Sequence, residues 1–135
     1  MADILDLSNY KPDEIPEGEI HPAGTEVEAR IARIAQDTDK NNTPYIMPWF
    51  EDPINPNIED WNDYLPLPEE HETDKNNGKR LRRLKTFSEA FGVELFSGQV
   101  NLDEQKGKTG WMIVGVGADQ NGDAQNTVKK YVVPE

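Results

Sequence analysis

The stretch NNGKRLRRLKTFSEAFG, Asn76–Gly92, decides how the rest of the chain is read. Leu81, Leu84, Ser88 and Phe91 recur at helical spacing and line one face. Asn76 or Asn77 can cap the start, and Gly92 ends the run. The same helix packs five cations into seven residues: Lys79, Arg80, Arg82, Arg83 and Lys85. On a helical wheel Lys79, Arg82 and Arg83 point away from the apolar face, while Arg80 and Lys85 flank it.

Outward from this helix the chain is made of short β signals. Upstream, HPAGTEVEARIARIAQD (His21–Asp37) turns at Pro22–Gly24 and then alternates, with Val27, Ala29 and Ile31 facing one way. Ile34 breaks the parity, which predicts a bulge near Arg33 or a bend. A helical reading of the same residues competes, since Val27, Ile31 and Ile34 also fit that period; Gly24 and the β-branched content favour a strand. YIMPWFEDP (Tyr45–Pro53) reads as a second strand in which Pro48 demands an edge or an irregularity. WNDYLPLP (Trp61–Pro68) is a third, with Trp61 and Tyr64 of different parity. Downstream, GWMIVGVG (Gly110–Gly117) has the continuous apolar character of a strand buried on both faces. An Asn-Gly turn at Asn121-Gly122 leads into NTVKKYVVP, completing a hairpin. TDKNN occurs twice, at Thr38–Asn42 and Thr73–Asn77, with unmatched flanks, and reads as two similar polar loops.

Three strands, one helix and two strands is the element order of the OB-fold. The fold class expected is mainly β: an OB-like five-stranded Greek-key barrel with one α-helix between strands 3 and 4. With 135 residues the simplest organisation is one domain over 20–135, preceded by a flexible acidic N-terminal arm over 1–19 that contains Pro12 and Pro16.

The net charge of −12 conceals a division. Residues 1–74 carry a net −15 and residues 75–135 a net +3. From Asn41 to Asp74 there are nine acids and no Lys or Arg; from Lys75 to Lys85 there are six cations and no acid. Such local fields, rather than the total, govern contacts within a Debye length of about 8 Å. Without cysteine there is no disulfide or thiol chemistry. The longest apolar run, Trp111–Ala118, is too short for a membrane span, and the acidic start lacks the basic region of a secretory signal. A cytoplasmic location is expected, in a bacterial host if the protein is phage-encoded.

The chain resembles a family of small phage and prophage proteins from replication and recombination gene clusters. The resemblance is carried by PAGTEVEARI, NTPYIMPWFE, YLPLP, RLRRLKTFSEAFG, GKTGWMIVG and NGDAQNTVKKYV, in that order, across roughly residues 20–133. It implies an OB-like fold and single-stranded DNA as the partner. Many single-stranded DNA-binding proteins end in an acidic tail that recruits partners; here YVVPE follows the last expected strand, and recruitment through such a tail is not expected.

Base stacking needs aromatic faces, and phosphates need cations. On an OB-fold the usual surface comprises strands 2 and 3 with the loops between strands 1–2 and 4–5. Tyr45, Trp49, Trp61 and Tyr64 are the stacking candidates there; Trp49 and Trp61 are equally readable as core. Arg30, Lys106 and Lys108 are the candidate backbone contacts. Lys79, Arg82 and Arg83 form a docking or phosphate patch, unless they only balance Glu69, Glu70, Glu72 and Asp74. Glu51, Asp52, Asp60 and Asp63 flank the aromatics unfavourably, to be offset by cations such as Arg33, Lys129 or Lys130.

Catalysis is not expected. DTDKNN and DQNGD resemble calcium loops but lack the twelfth-position Glu, GKTG lacks the spacing of a phosphate loop, and His21 and His71 have no ligand spacing. No cofactor or metal is expected. The function expected is non-catalytic, sequence-independent binding of single-stranded DNA in phage-type replication or recombination. The alternative is a protein-binding adaptor on the same barrel, docking a replication or recombination partner.

Overall fold

The computed structural model describes residues 3–135, so Met1 and Ala2 of the expected arm lie outside it. Six strands and one α-helix form the body: β1 (Glu26–Thr38), β2 (Pro44–Glu51), β3 (Trp61–Asn62), β4 (Leu65–Pro66), α1 (Asp74–Phe91), β5 (Thr109–Ala118) and β6 (Ala124–Val132). The sheet is antiparallel throughout, in the order β3-β2-β1-β5-β6, with β4 also on β2. The mainly β class and the single helix between the third-strand region and the last hairpin are as the sequence predicts. The sheet itself is open and six-stranded rather than a closed five-stranded barrel, because among the described residues no ladder joins its edge strands β3 and β6.

β1 is long because it serves two neighbours. Its first residues, Glu26–Arg30, pair with β5 and the remainder with β2. The register steps from Ile31↔Phe50 to Arg33↔Trp49, leaving Ala32 as the extra residue of a bulge. That bulge lets Val27, Ala29, Ile31 and Ile34 all face the core despite their broken parity.

The third strand is split, and Pro48 supplies a reason. The Pro48 carbonyl accepts from the Asp63 amide, so the side of Pro48 that would carry an N–H faces the gap between β3 and β4. With no donor there, the ladder breaks at Asp63-Tyr64 and resumes at Leu65. The register is the same on both sides of the break, so the alternation carries through it: Trp61 and Leu65 face the core while Tyr64 is exposed.

α1 begins three or four residues earlier than the Asn76 or Asn77 cap suggests. Thr73 is the N-cap, its hydroxyl accepting from the Asn76 amide at 3.2 Å, and Gly92 closes the helix at φ 67°. The repeated TDKNN thus has two structures. At Thr38–Asn42 it ends β1 and enters a hairpin turn; at Thr73–Asn77 it starts a helix. Pro44, two residues past the first copy, holds Thr43 extended, whereas Gly78 and Lys79 after the second allow the helix to run on. The buried face of α1 is Leu84, Phe87, Ala90 and Phe91; Leu81, expected within it, is 39 % exposed.

β5 alternates instead of being buried on both faces. Met112 and Val114 enter the core while Trp111 is 48 % exposed. Gly110 lies under the end of α1: a Cβ placed there would stand 2.6 Å from the Ala90 carbonyl oxygen and 2.9 Å from Phe91 Cγ. Gly110→Ala therefore forces helix and sheet apart, and urea denaturation is expected to show a loss of about 1–3 kcal/mol.

Candidate nucleic-acid interface

The solvent face of β2 presents Tyr45 and Trp49, with Tyr64 rising from the β3–β4 break. Tyr45 sits opposite Asp37 of β1 and Pro66 of β4, and its ring lies 4.8 Å from that of Tyr64. The Tyr64 hydroxyl donates to Asp39 Oδ2 at 2.6 Å. Burial, followed by this bond to a carboxylate, pushes the Tyr64 phenol up to about 12. Asp39 is held below its usual range by the same hydroxyl and by the Thr43 amide.

Both hairpin turns are built on one Asp. Asp39 Oδ1 accepts from the amides of Asn41 and Thr43, and Asp119 Oδ1 accepts from those of Asn121 and Asp123. The left-handed positions are Asn42 and Gly122. The alternating oxygens that suggested calcium loops are here the internal bonds of two turns.

Trp49 faces Arg33 of β1 on one side and Asn62 of β3 on the other, with the Arg33 guanidinium 4.9 Å from its ring centroid. Trp61 has a different place. It is 1 % exposed, packed by Phe50 and the edge of His21, and its Nε1–H donates to the Met112 sulfur at 3.3 Å. Trp61 is a core residue and drops out of the stacking set.

Of the expected backbone cations, two are engaged. Arg30 is paired with Glu51 at 2.8 Å, and Lys108 donates to the Gly92 carbonyl at 2.9 Å, occupying the C-terminal end of α1. Lys106 is exposed, on the segment whose Gly107 amide bonds the Ile31 carbonyl at the β1 bulge.

The basic helix divides its charges by direction. Arg80 turns inward to Glu69, Glu72 and the Leu67 carbonyl. Arg83 reaches Asp63 at 2.8 Å and the Val128 carbonyl at 3.0 Å, and lies over the Tyr131 ring. Lys79 and Arg82 make no ion pair among the described residues. They line a shallow groove of about 320 Å³ with Arg83, Thr86, Lys129, Lys130 and Tyr131. Five cations edge this groove and, among the described residues, no carboxylate lines it, against the negative total of the chain.

Two residues of the groove, Arg83 and Tyr131, meet Asp63 in a largely buried side-chain seam. Asp63 Oδ2 accepts from Tyr131 Oη at 2.7 Å as well as from Arg83, linking β3 to β6 where the backbone does not. Burial pushes the Asp63 carboxyl up against the opposing pull of Tyr131 and Arg83, and burial with the Asp63 charge pushes Tyr131 well above its ordinary value.

Sequence reasoning passed over Trp111 and the His21–Asp52 pair. Strict alternation through TGWMIVG would have placed Trp111 outward. His21 Nε2 lies 2.8 Å from Asp52 Oδ2, and its backbone is held on both sides by Asn126; nothing in the spacing of residues 21, 52 and 126 signals this. No family model matches the chain, and no curated protein matches it in sequence.

The Tyr64–Asp39 bond makes a measurable difference in alkali. Because the folded pKa is raised, its stabilisation is fully present below the unfolded tyrosine value near 10 and is lost as pH rises through about 12. In a near-ultraviolet titration, Asp39→Asn is expected to bring one tyrosine down toward the ordinary value, while a Tyr64→Phe background shows no such change.

Proposed function

We propose that the protein is a non-catalytic, sequence-independent single-stranded DNA-binding protein whose sheet is of OB type, its β3–β6 side closed by side chains. The observation that carries this reading is an aromatic row on the solvent side of the sheet, Tyr64 exposed and Tyr45 and Trp49 half-buried, together with the five-cation groove of α1 and β6. Bases stack on the row, Arg33 adds a cation beside Trp49, and the phosphates follow Lys79, Arg82, Lys129 and Lys130. Arg30 and Lys108 do not serve here, since Glu51 and the helix end hold them. The phage-type replication or recombination setting rests on the sequence resemblance.

A second reading, the protein-binding adaptor, draws on the exposed Leu81 and Phe96 beside the helix.

Titration with unstructured oligothymidine distinguishes the two. Trp49 and Trp111 are the solvent-facing reporters, and quenching that weakens with salt is expected. Trp49→Ala should weaken binding by about 1–3 kcal/mol. Lys129→Gln with Lys130→Gln should make the salt slope shallower by roughly 0.7 for each phosphate no longer neutralised. No quenching and no anisotropy change of labelled oligonucleotide at low salt would exclude the single-strand reading and leave the adaptor.

A further inference from the structure

Beside the cationic groove, α1 carries apolar surface. Leu81 is 39 % exposed, and Phe96, in the connector after the helix, is 58 % exposed. These two side chains border both of two adjoining hollows, of about 430 and 540 Å³. One runs over Ile46, Leu67, Leu84 and Leu95; the other is edged by Arg82, Lys85 and Glu89. The last two are 3.8 Å apart on the exposed side of the helix, which leaves Arg82 as its unpaired cation among the described residues. A contiguous apolar lining at the surface, rimmed by charge, is the composition of a contact site for another chain.

The segment of complementary composition is in the same sequence. In DILDLSNY (Asp3–Tyr10), Ile4, Leu5, Leu7 and Tyr10 are 94 %, 82 %, 59 % and 67 % exposed, interleaved with Asp3 and Asp6. Apolar side chains suit the hollows, and the aspartates suit the rim. The segment does not lie on its own body's hollow: it joins the fold through the Glu19–Ile58 bridge, past the Glu51 end of β2, whereas Ile46 lies near the Pro44 end. Turns closed by Tyr10 N–H to the Leu7 carbonyl and Ile15 N–H to the Pro12 carbonyl shorten the tether between them.

We propose that two copies of the chain associate by exchanging these segments, Ile4, Leu5 and Leu7 of one seating in the Leu81–Phe96 hollow of the other, with Asp3 and Asp6 against Arg82. Reciprocal exchange closes a two-fold dimer and uses each hollow once. This association requires no DNA and holds whether or not the chain binds it; Arg82 borders both this rim and the cationic groove, so a bound phosphate chain would compete for that one side chain.

Sedimentation velocity of the full chain over a concentration series tests it. A monomer–dimer equilibrium that weakens with salt is expected. Ile4→Ser with Leu5→Ser and Leu7→Ser, or Phe96→Asp alone, should raise the dissociation constant at least about tenfold, with thermal melts little changed because these positions are exposed. A mixture of the two variants, each monomeric alone, should form a heterodimer through its one intact segment–hollow pair. A full chain that stays monomeric at every concentration overturns the proposal, including the case in which the segment folds back on its own hollow. Association that survives the segment variant, or a mixture that fails to pair, overturns it equally.

Discussion

The fold depends on one ring. Phe50 of β2 is fully buried, and its centroid lies 5.2 Å from that of Phe91, 6.0 Å from Trp61 and 6.3 Å from both Phe87 and Tyr131. Those partners come from α1, β3 and β6, so a single side chain ties the helix to the sheet and both edge strands to the centre. Aromatic contacts of this kind add about 0.5–1.5 kcal/mol each beyond area burial. The small, split third strand has too few ladder bonds to hold itself in place; Trp61 anchors it through this cluster. The exposed position of Tyr64 depends on that anchor in turn.

Around the cluster, polar side chains complete what the backbone leaves open. Asp63 holds β3 to β6 through Tyr131 and to α1 through Arg83, and its raised carboxyl reflects the unfavourable burial of its charge there. His21, Asp52 and Asn126 act comparably at the other end, fixing the chain before β1 against the loop after β2 and against β6. Both are long-range arrangements, made from groups with no local pattern between them.

What the sequence shows and hides follows from that distinction. Alternation in Val27–Ile31, the parity break at Ile34, the Asn-Gly hairpin and the helix stop at Gly92 are local signals, and each appears in the fold. The split at Asp63-Tyr64 leaves no local signal in the sequence, because its cause, Pro48, lies on the neighbouring strand. Burial of Trp61 rather than Trp49 turns on which face each strand presents, and the pairing of Trp61 with Phe50 and of Trp49 with Asn62 settles that. The inward turn of Arg80 and Arg83, against the outward turn of Lys79 and Arg82, needs the positions of Glu69 and Asp63 in space. Trp111 is hidden by composition, since a Gly- and Val-rich run conceals its own alternation.

The dense cationic helix in an acidic chain then has a physical explanation in two parts. Arg80 and Arg83 neutralise carboxylates and carbonyls that the helix itself brings to the sheet, and their removal would leave Glu69 or Asp63 shielded from water without a counter-charge. Exposed cations need no such partners for stability, since surface pairs contribute only about 0–1 kcal/mol. Yet Lys79 and Arg82 converge with Lys129 and Lys130 on one groove, the latter two brought there by the β6 register shift that sets Val114 against Val128 and Ile113 against Lys130. Like charges gathered from two elements repel one another, so folding stability gives no reason for the groove. A bound anion would, and for that reason the proposed reading takes Lys79 and Arg82, unpaired among the described residues, and not Arg80, as its phosphate contacts.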